Sequence, residues 1–373
     1  MRKIRQKAAE TASFCARVGA FFLGCFLGMY AVISMAKNGS DFFYYAVAFA
    51  APGSAIEFLQ EPIFPEEPVS STEAEDMESG AQTEEPSEET LPEEPKNEQE
   101  ALPEIPENRR GRVTETQYSA KEGGIYIAYG NAIIKNCTTH SPEKIKSKLA
   151  ESHDLSLSTA MGSLPQVLIY HTHATEGYEP FDTGVFDTAG TWRSTDHTEN
   201  MISVGDALES VLSKKGIGVI HDATMHDDPS YNGSYQRSAV TIKGHMAENP
   251  TLEIFLDIHR DAIEPSEKEI IKPTAMINGR KAAQIMIIAG CDDGSMNMPD
   301  EWENLRFAAA LGDKLEELYP GITRPILFDY RKYNMDLSPG LLLIEIGATG
   351  NTLSEAQYSA ELLGNALSAL LIE

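Results

Sequence analysis

The sequence is poor in cysteine, in tryptophan and in positive charge. Four cysteines stand in 373 residues, and Cys15 and Cys25 fall in or beside an apolar N-terminal segment. Only Cys137 and Cys291 remain, which excludes a disulfide framework, and no CxxC pair is present to make a cysteine metal knuckle. Lysine and arginine number 30 against 57 acidic residues, a formal net charge of −27. A nucleic-acid partner demands a basic face, so none is expected. No G-x-G-x-x-G, Walker loop or internal repeat occurs, which removes support for nucleotide binding. No G-x-S-x-G elbow occurs either, and this argues against a serine hydrolase. Cys291 sits in "AGCDDG", where acidic neighbours raise a thiol pKa and make a poor nucleophile.

What is present divides the chain by composition. "MRKIRQK" is basic, and Val18 to Met35 carries no charge, close to the roughly 20 residues that span a bilayer. That run is long for a cleaved signal peptide, although "AVAFAAPG" (Ala46 to Gly53) offers small residues to a protease. Basic residues before the span and acidic ones after it favour an N-in, C-out anchor. Between Glu61 and Glu107 the chain is mostly Glu, Pro, Ser and Thr, with Lys96 the single base. Such a stretch repels itself and buries little, so it reads as a disordered tether. The expected divisions are a tail and anchor over 1–40, a juxtamembrane segment and linker over 41–111, a small leading subdomain over 112–160, and a catalytic domain over 161–373.

Folding signals resume near Arg112. "GGIYIAYGNAIIKN" predicts a pair of strands, and "SPEK" opens a helix at Ser141 with Pro at its first turn. From Gln166 short apolar strands alternate with amphipathic helices, for example the stripe of Ile202, Leu208 and Leu212. This alternation predicts an α/β fold with a largely parallel sheet flanked by helices.

Three of the strands end in polar groups that a core rejects. "VLIYHTHATEGYEP" carries His171 and His173 with a glutamate close behind, "LEIFLDIHRDA" carries His259, and "GLLLIEIGATGNT" carries Glu345. In open α/β sheets functional groups collect at the carboxyl ends of strands. Imidazoles and a carboxylate meeting there are the ligand chemistry of a catalytic zinc site. Asp257 and Asp261 flank His259 and are candidates to orient it.

With "LIYHTHATEGY", "SVGDAL", "KKGIGVIHDATMHDDPSYNGSYQRS", "LDIHRDA" and "LLLIEIGATGNT" in this order, the chain resembles the stage II sporulation protein P family of endospore-forming bacteria. The resemblance runs from about Tyr118 to the C-terminus and includes the anchor and tether. It implies a membrane-anchored hydrolase outside the cytoplasm, in the mother-cell membrane and facing the wall, that acts on peptidoglycan during engulfment. The family's reactions are cleavage of the N-acetylmuramoyl–L-alanine amide and of peptide cross-links, with stage II sporulation proteins D and M as partners. A remoter likeness is to zinc-dependent N-acetylmuramoyl-L-alanine amidases. Laid on their motifs, it makes His173 rather than His171 a ligand, His259 another, and Glu345 the catalytic carboxylate. The third ligand falls at Asp196 or His197 within "STDHTEN". On the same likeness His171 stabilises the oxyanion. Arg237 receives peptide carboxylates or serves the fold. The alternative is a non-catalytic wall-binding or scaffold component of a membrane complex.

Overall fold

The computed structural model describes residues 104–372. The expected anchor and nearly all of the expected tether lie outside them. Among the described residues no helix is long and apolar enough to cross a membrane.

Among the described residues twelve strands form two sheets. The larger has eight, in the order β2 (Tyr126–Tyr129), β3 (Ala132–Asn136), β11 (Ile326–Asp329), β10 (Ile285–Gly290), β12 (Leu341–Ala348), β7 (Ile254–Asp261), β4 (Pro165–Tyr170) and β6 (Gly218–His221). Pairing is parallel throughout except at β2–β3 and β10–β12. The largely parallel sheet expected from sequence is therefore present, with antiparallel pairings where a hairpin and a late strand insert. The smaller sheet runs β5 (Val185–Asp187), β1 (Arg110–Thr116), β8 (Glu269–Ile277), β9 (Arg280–Ala283).

Among the described residues there are five α-helices: α1 (Pro142–Leu149), α2 (Met201–Lys214), α3 (Ser234–Glu248), α4 (Glu301–Leu318) and α5 (Leu353–Leu371). Their starts follow from local chemistry. Ser141 accepts from Lys144 N ahead of Pro142, Asn200 accepts from Ile202 N, and Thr352 forms a capping box with Glu355. Each such cap satisfies backbone N–H groups that have no partner inside the helix.

The segment 112–160, expected as a small leading subdomain, contributes β2, β3 and α1. β2 and β3 close one edge of the large sheet, and Ile127, Ile134 and Ile145 belong to the main core. Those side chains have too little surface of their own to bury and join the larger cluster instead.

Strand alternation assigns the two faces of the sheet. Leu342, Ile344 and Ile346 of β12 join the large core with residues of α2, α4 and α5. Leu341 and Leu343 point the other way, into a smaller cluster with Phe255, Ile288 and Ile242 of α3. Glu345 continues that second stripe. One helix of the described residues contributes to that cluster, so part of this face stays open.

Candidate active site

β4, β7 and β12 are neighbours in the sheet, with Tyr170 opposite Asp257 and His259 opposite Glu345. Paired residues on adjacent strands share a face. Asp257, His259 and Glu345 therefore stand together on the open side. Beyond Tyr170 the chain turns, with Glu176 N donating to His173 O. The turn brings His173 and Glu176 to the same place. The His173 and His259 rings lie 5.2 Å apart edge to face, and Glu176 Oε2 is 3.6 Å from His259 Nδ1.

Each group is held from behind. Asp257 accepts from Thr172 N at 2.8 Å and Thr172 Oγ1 at 2.7 Å, and lies 2.8 Å from His259 Nε2. The Glu176 turn is fastened by Arg260, which donates to Gly177 O at 2.7 Å and Trp192 O at 3.1 Å. Tyr231 stacks on His173 at 4.3 Å, and the Arg193 guanidinium covers the outer face of Tyr231 at 5.1 Å. After Glu345 the strand bulges at Gly347, whose φ of +68° suits glycine and whose absent Cβ leaves room for Asn351.

The electrostatics are those of carboxylates crowded out of water. Burial pushes the Glu345 carboxyl up to about 8. Burial also opposes charge on Glu176, but the His259 hydrogen bond and charge outweigh it and lower that carboxyl to about 2. Burial, then the charge of His259, lowers His173 to about 4. On His259 burial works against charge, yet Asp257 and Glu176 overcome it and raise the imidazole well above its ordinary value. Asp257 and Glu176 thus draw positive charge into the site, carried in this structure by His259.

A divalent cation fits that demand. His173 Nδ1, His259 Nε2 and Glu345 Oε2 are buried with no hydrogen-bond partner among the described residues. The 2.8 Å approach of His259 Nε2 to Asp257 is a charge contact without hydrogen-bond geometry. Orphaned polar atoms of this kind are costly unless something binds them. Imidazole nitrogens and a carboxylate are the donor set of catalytic zinc. Among the described residues the donor atoms of this site are not drawn within 4.8 Å of one another, as they are in two groups elsewhere: His140, Cys291 and Glu301, and Asp206, Glu209 and His221. The first is less suited, because the Lys144 ammonium lies 3.2 Å from His140 Nδ1 and burial pushes the Cys291 thiol up. The second engages His221 in hydrogen bonds to Asp206 and His171.

The remaining expected residues lie elsewhere. Asp196 is exposed, on a turn where its carboxylate accepts from Thr198, and His197 beside it is also exposed. Glu176 occupies the position proposed for either of them. His171 is fully buried with both nitrogens engaged, Nδ1 to Ile258 O and Nε2 to His221 Nε2, each at 2.9 Å. The pair sits under α2 where Gly205 has no Cβ, since one there would come 2.7 Å from His171 and 2.3 Å from His221. A ring so enclosed has no donor left for a reacting oxygen. Arg237 donates to the carbonyls of His226, Asn232 and Ser230. It fastens the loop that carries Tyr231 and leaves no fork for a ligand carboxylate. The signal for Glu176 was the H-x-x-E spacing, which puts both side chains on one side only if the segment is a turn.

The sequence model of Stage II sporulation protein P (SpoIIP) matches residues 48–368. The Stage II sporulation protein P of Bacillus subtilis (strain 168) is 30% identical over 220 residues, 56% of this chain and 52% of that protein. The match thus spans about half the length of the curated relative. Solved structures that align include the N-acetylmuramoyl-L-alanine amidase AmiC2 of Nostoc punctiforme, at 12% identity and a TM-score of 0.34 over 56% of this chain and 97% of that one. The amidase Ami1 of Mycobacterium smegmatis aligns at 11% identity and 0.34, over 56% and 98%. The CwlD amidase of Clostridioides difficile, solved with the GerS lipoprotein, aligns at 12% and 0.32, over 54% and 94%.

Proposed function

Because the chain belongs to the stage II sporulation protein P family, we propose that it is a peptidoglycan hydrolase of sporulation, cleaving the N-acetylmuramoyl–L-alanine amide and peptide cross-links during engulfment. The observation that carries this reading is the meeting of His173, Glu176, His259 and Glu345 near the ends of adjacent strands, with buried atoms of His173, His259 and Glu345 lacking partners among the described residues. His173, Glu176 and His259 would hold a zinc ion. Zinc supplies Lewis acidity, lowering the pKa of water to about 7 and polarising a carbonyl.

The other steps belong to the chain's own side chains. Glu345 takes a proton from the attacking water and returns it to the leaving amine, a task suited to a carboxyl raised by burial. Asp257, itself held by Thr172, stands beside His259 Nε2 and leaves Nδ1 toward Glu176. Tyr231 shields the outer face of His173 from water. On this reading the N-terminal segment anchors the protein in the mother-cell membrane with this domain facing the wall. Stage II sporulation proteins D and M are its partners there.

The test is digestion of purified peptidoglycan by the full-length protein, with products identified by mass spectrometry. Release of stem peptides beginning at L-alanine is expected. Sedimentation with the wall but no soluble product would replace the enzyme with a wall-binding component.

A further inference from the structure

Beside Glu345 the open face of the sheet holds a cavity of about 520 Å³. That falls within the roughly 300–1,000 Å³ of ordinary ligand sites. It reaches from Glu345 on β12 across Met286 on β10 and Leu327 on β11 to Lys135 on β3. Arg324 and Arg331, just before and after β11, line it as well. Lys135, Arg324 and Arg331 share this lining with the carboxyl groups of Asp261 and Glu345, three cations against two acids in a chain of net charge −27.

Those cations are positioned but not exhausted. Arg324 Nη1 is held by Asp261 at 2.8 Å, while Arg331 uses Nε on Asp329 at 2.9 Å and Nη1 on Tyr333 Oη at 2.6 Å. The second Nη of each arginine, and the Lys135 ammonium, have no hydrogen-bond partner among the described residues. A guanidinium pinned on one edge by a carboxylate offers its other edge at little entropic cost. The missing partners are anionic oxygens. Their spacing sets the length of the ligand. Three strand intervals of about 4.8 Å separate β12 from β3, or roughly 14 Å. An extended peptide covers that in about four residues at roughly 3.4 Å each.

We propose that this cavity is a subsite for a short peptide with free carboxylates, which extends from the reacting bond at Glu345 and places those carboxylates against Arg324, Arg331 and Lys135. The assignment rests on the hydrolase reading for its direction, and it names the substrate feature selected: free carboxylates along the stem, about four residues deep. Tyr118 and Tyr333 flank the cleft and pack the peptide backbone.

The test is calorimetric titration of the full-length protein with two synthetic peptides. One is L-Ala–γ-D-Glu–L-Lys–D-Ala with free carboxylates, and the other is the same peptide with its carboxylates amidated. The acid form should bind on the order of 10-fold more tightly, as hydrogen bonds to charged groups imply. Lys135→Ala and Arg331→Ala should each remove most of that preference, and Lys135→Arg should restore it. Equal affinity for the two peptides, or variants that keep the preference, would overturn the subsite. Peptidoglycan digestion run in parallel separates the two claims. Charge-selective binding without digestion keeps the subsite and removes the hydrolase. Digestion with indifferent binding does the reverse.

Discussion

Glu345 is the residue on which chemistry and burial conflict most. It ends the apolar stripe of Leu341 and Leu343, its Oε2 has no partner, and burial raises its pKa to about 8. A protein that needed only stability there would place an amide or an aliphatic group. Glu345→Gln keeps the size and removes the base. The variant should fold, retain metal and lose roughly 10²–10⁴-fold in hydrolytic rate, measured on purified peptidoglycan beside zinc content. Near-normal turnover would end the role, and lost zinc would make Glu345 a ligand instead. At this scale the sequence was half legible. His259 and Glu345 could be read because apolar strand runs lead into them. Glu176 could not, because nothing in "HATEG" announces a turn, and counting along the chain to Asp196 took no account of how loops fold back.

Among the elements, β8 and α5 are joined by a buried charge. Lys272 is 1% exposed and lies 2.7 Å from both Asp182 and Glu355, the second of which is also the capping-box residue of α5. Removing the ammonium strands Glu355 without its counter-ion, so Lys272→Met should cost about 3–5 kcal/mol in urea unfolding. The pH dependence has a definite sign. Burial works to raise the Asp182 carboxyl, but hydrogen bonds from Lys272 and Lys281 outweigh it and hold it below its ordinary value. A depressed folded pKa gives stability present above the unfolded value of about 3.9 and lost as pH falls through the lower folded value. Melting temperature should therefore fall between pH 5 and pH 3, and by less in Lys272→Met. The helices and the central strands were visible in advance from their periodicity and caps. β1, β5 and the first half of β8 were not, since "RGRVTET" and "EIIKP" have polar, half-exposed faces that resemble loop. They become strands only by pairing with each other across long sequence separations.

At the scale of the whole molecule, the proposed function requires the acidic stretch Glu61–Glu107 to link a wall-facing domain to a membrane. If the tether acts only through length and charge, scrambling Glu61–Glu107 at constant composition should leave digestion of peptidoglycan by the membrane-bound protein unchanged. Loss of digestion would identify a docking sequence within it. Whether His173, Glu176 and His259 hold zinc, as proposed, is tested most directly by metal content. Full-length protein and its Glu176→Gln and Asp196→Asn variants would be purified alike and assayed for zinc per chain by mass spectrometry. The account predicts about one zinc in the parent and in Asp196→Asn, with little in Glu176→Gln. Full zinc in Glu176→Gln together with its loss in Asp196→Asn would contradict it.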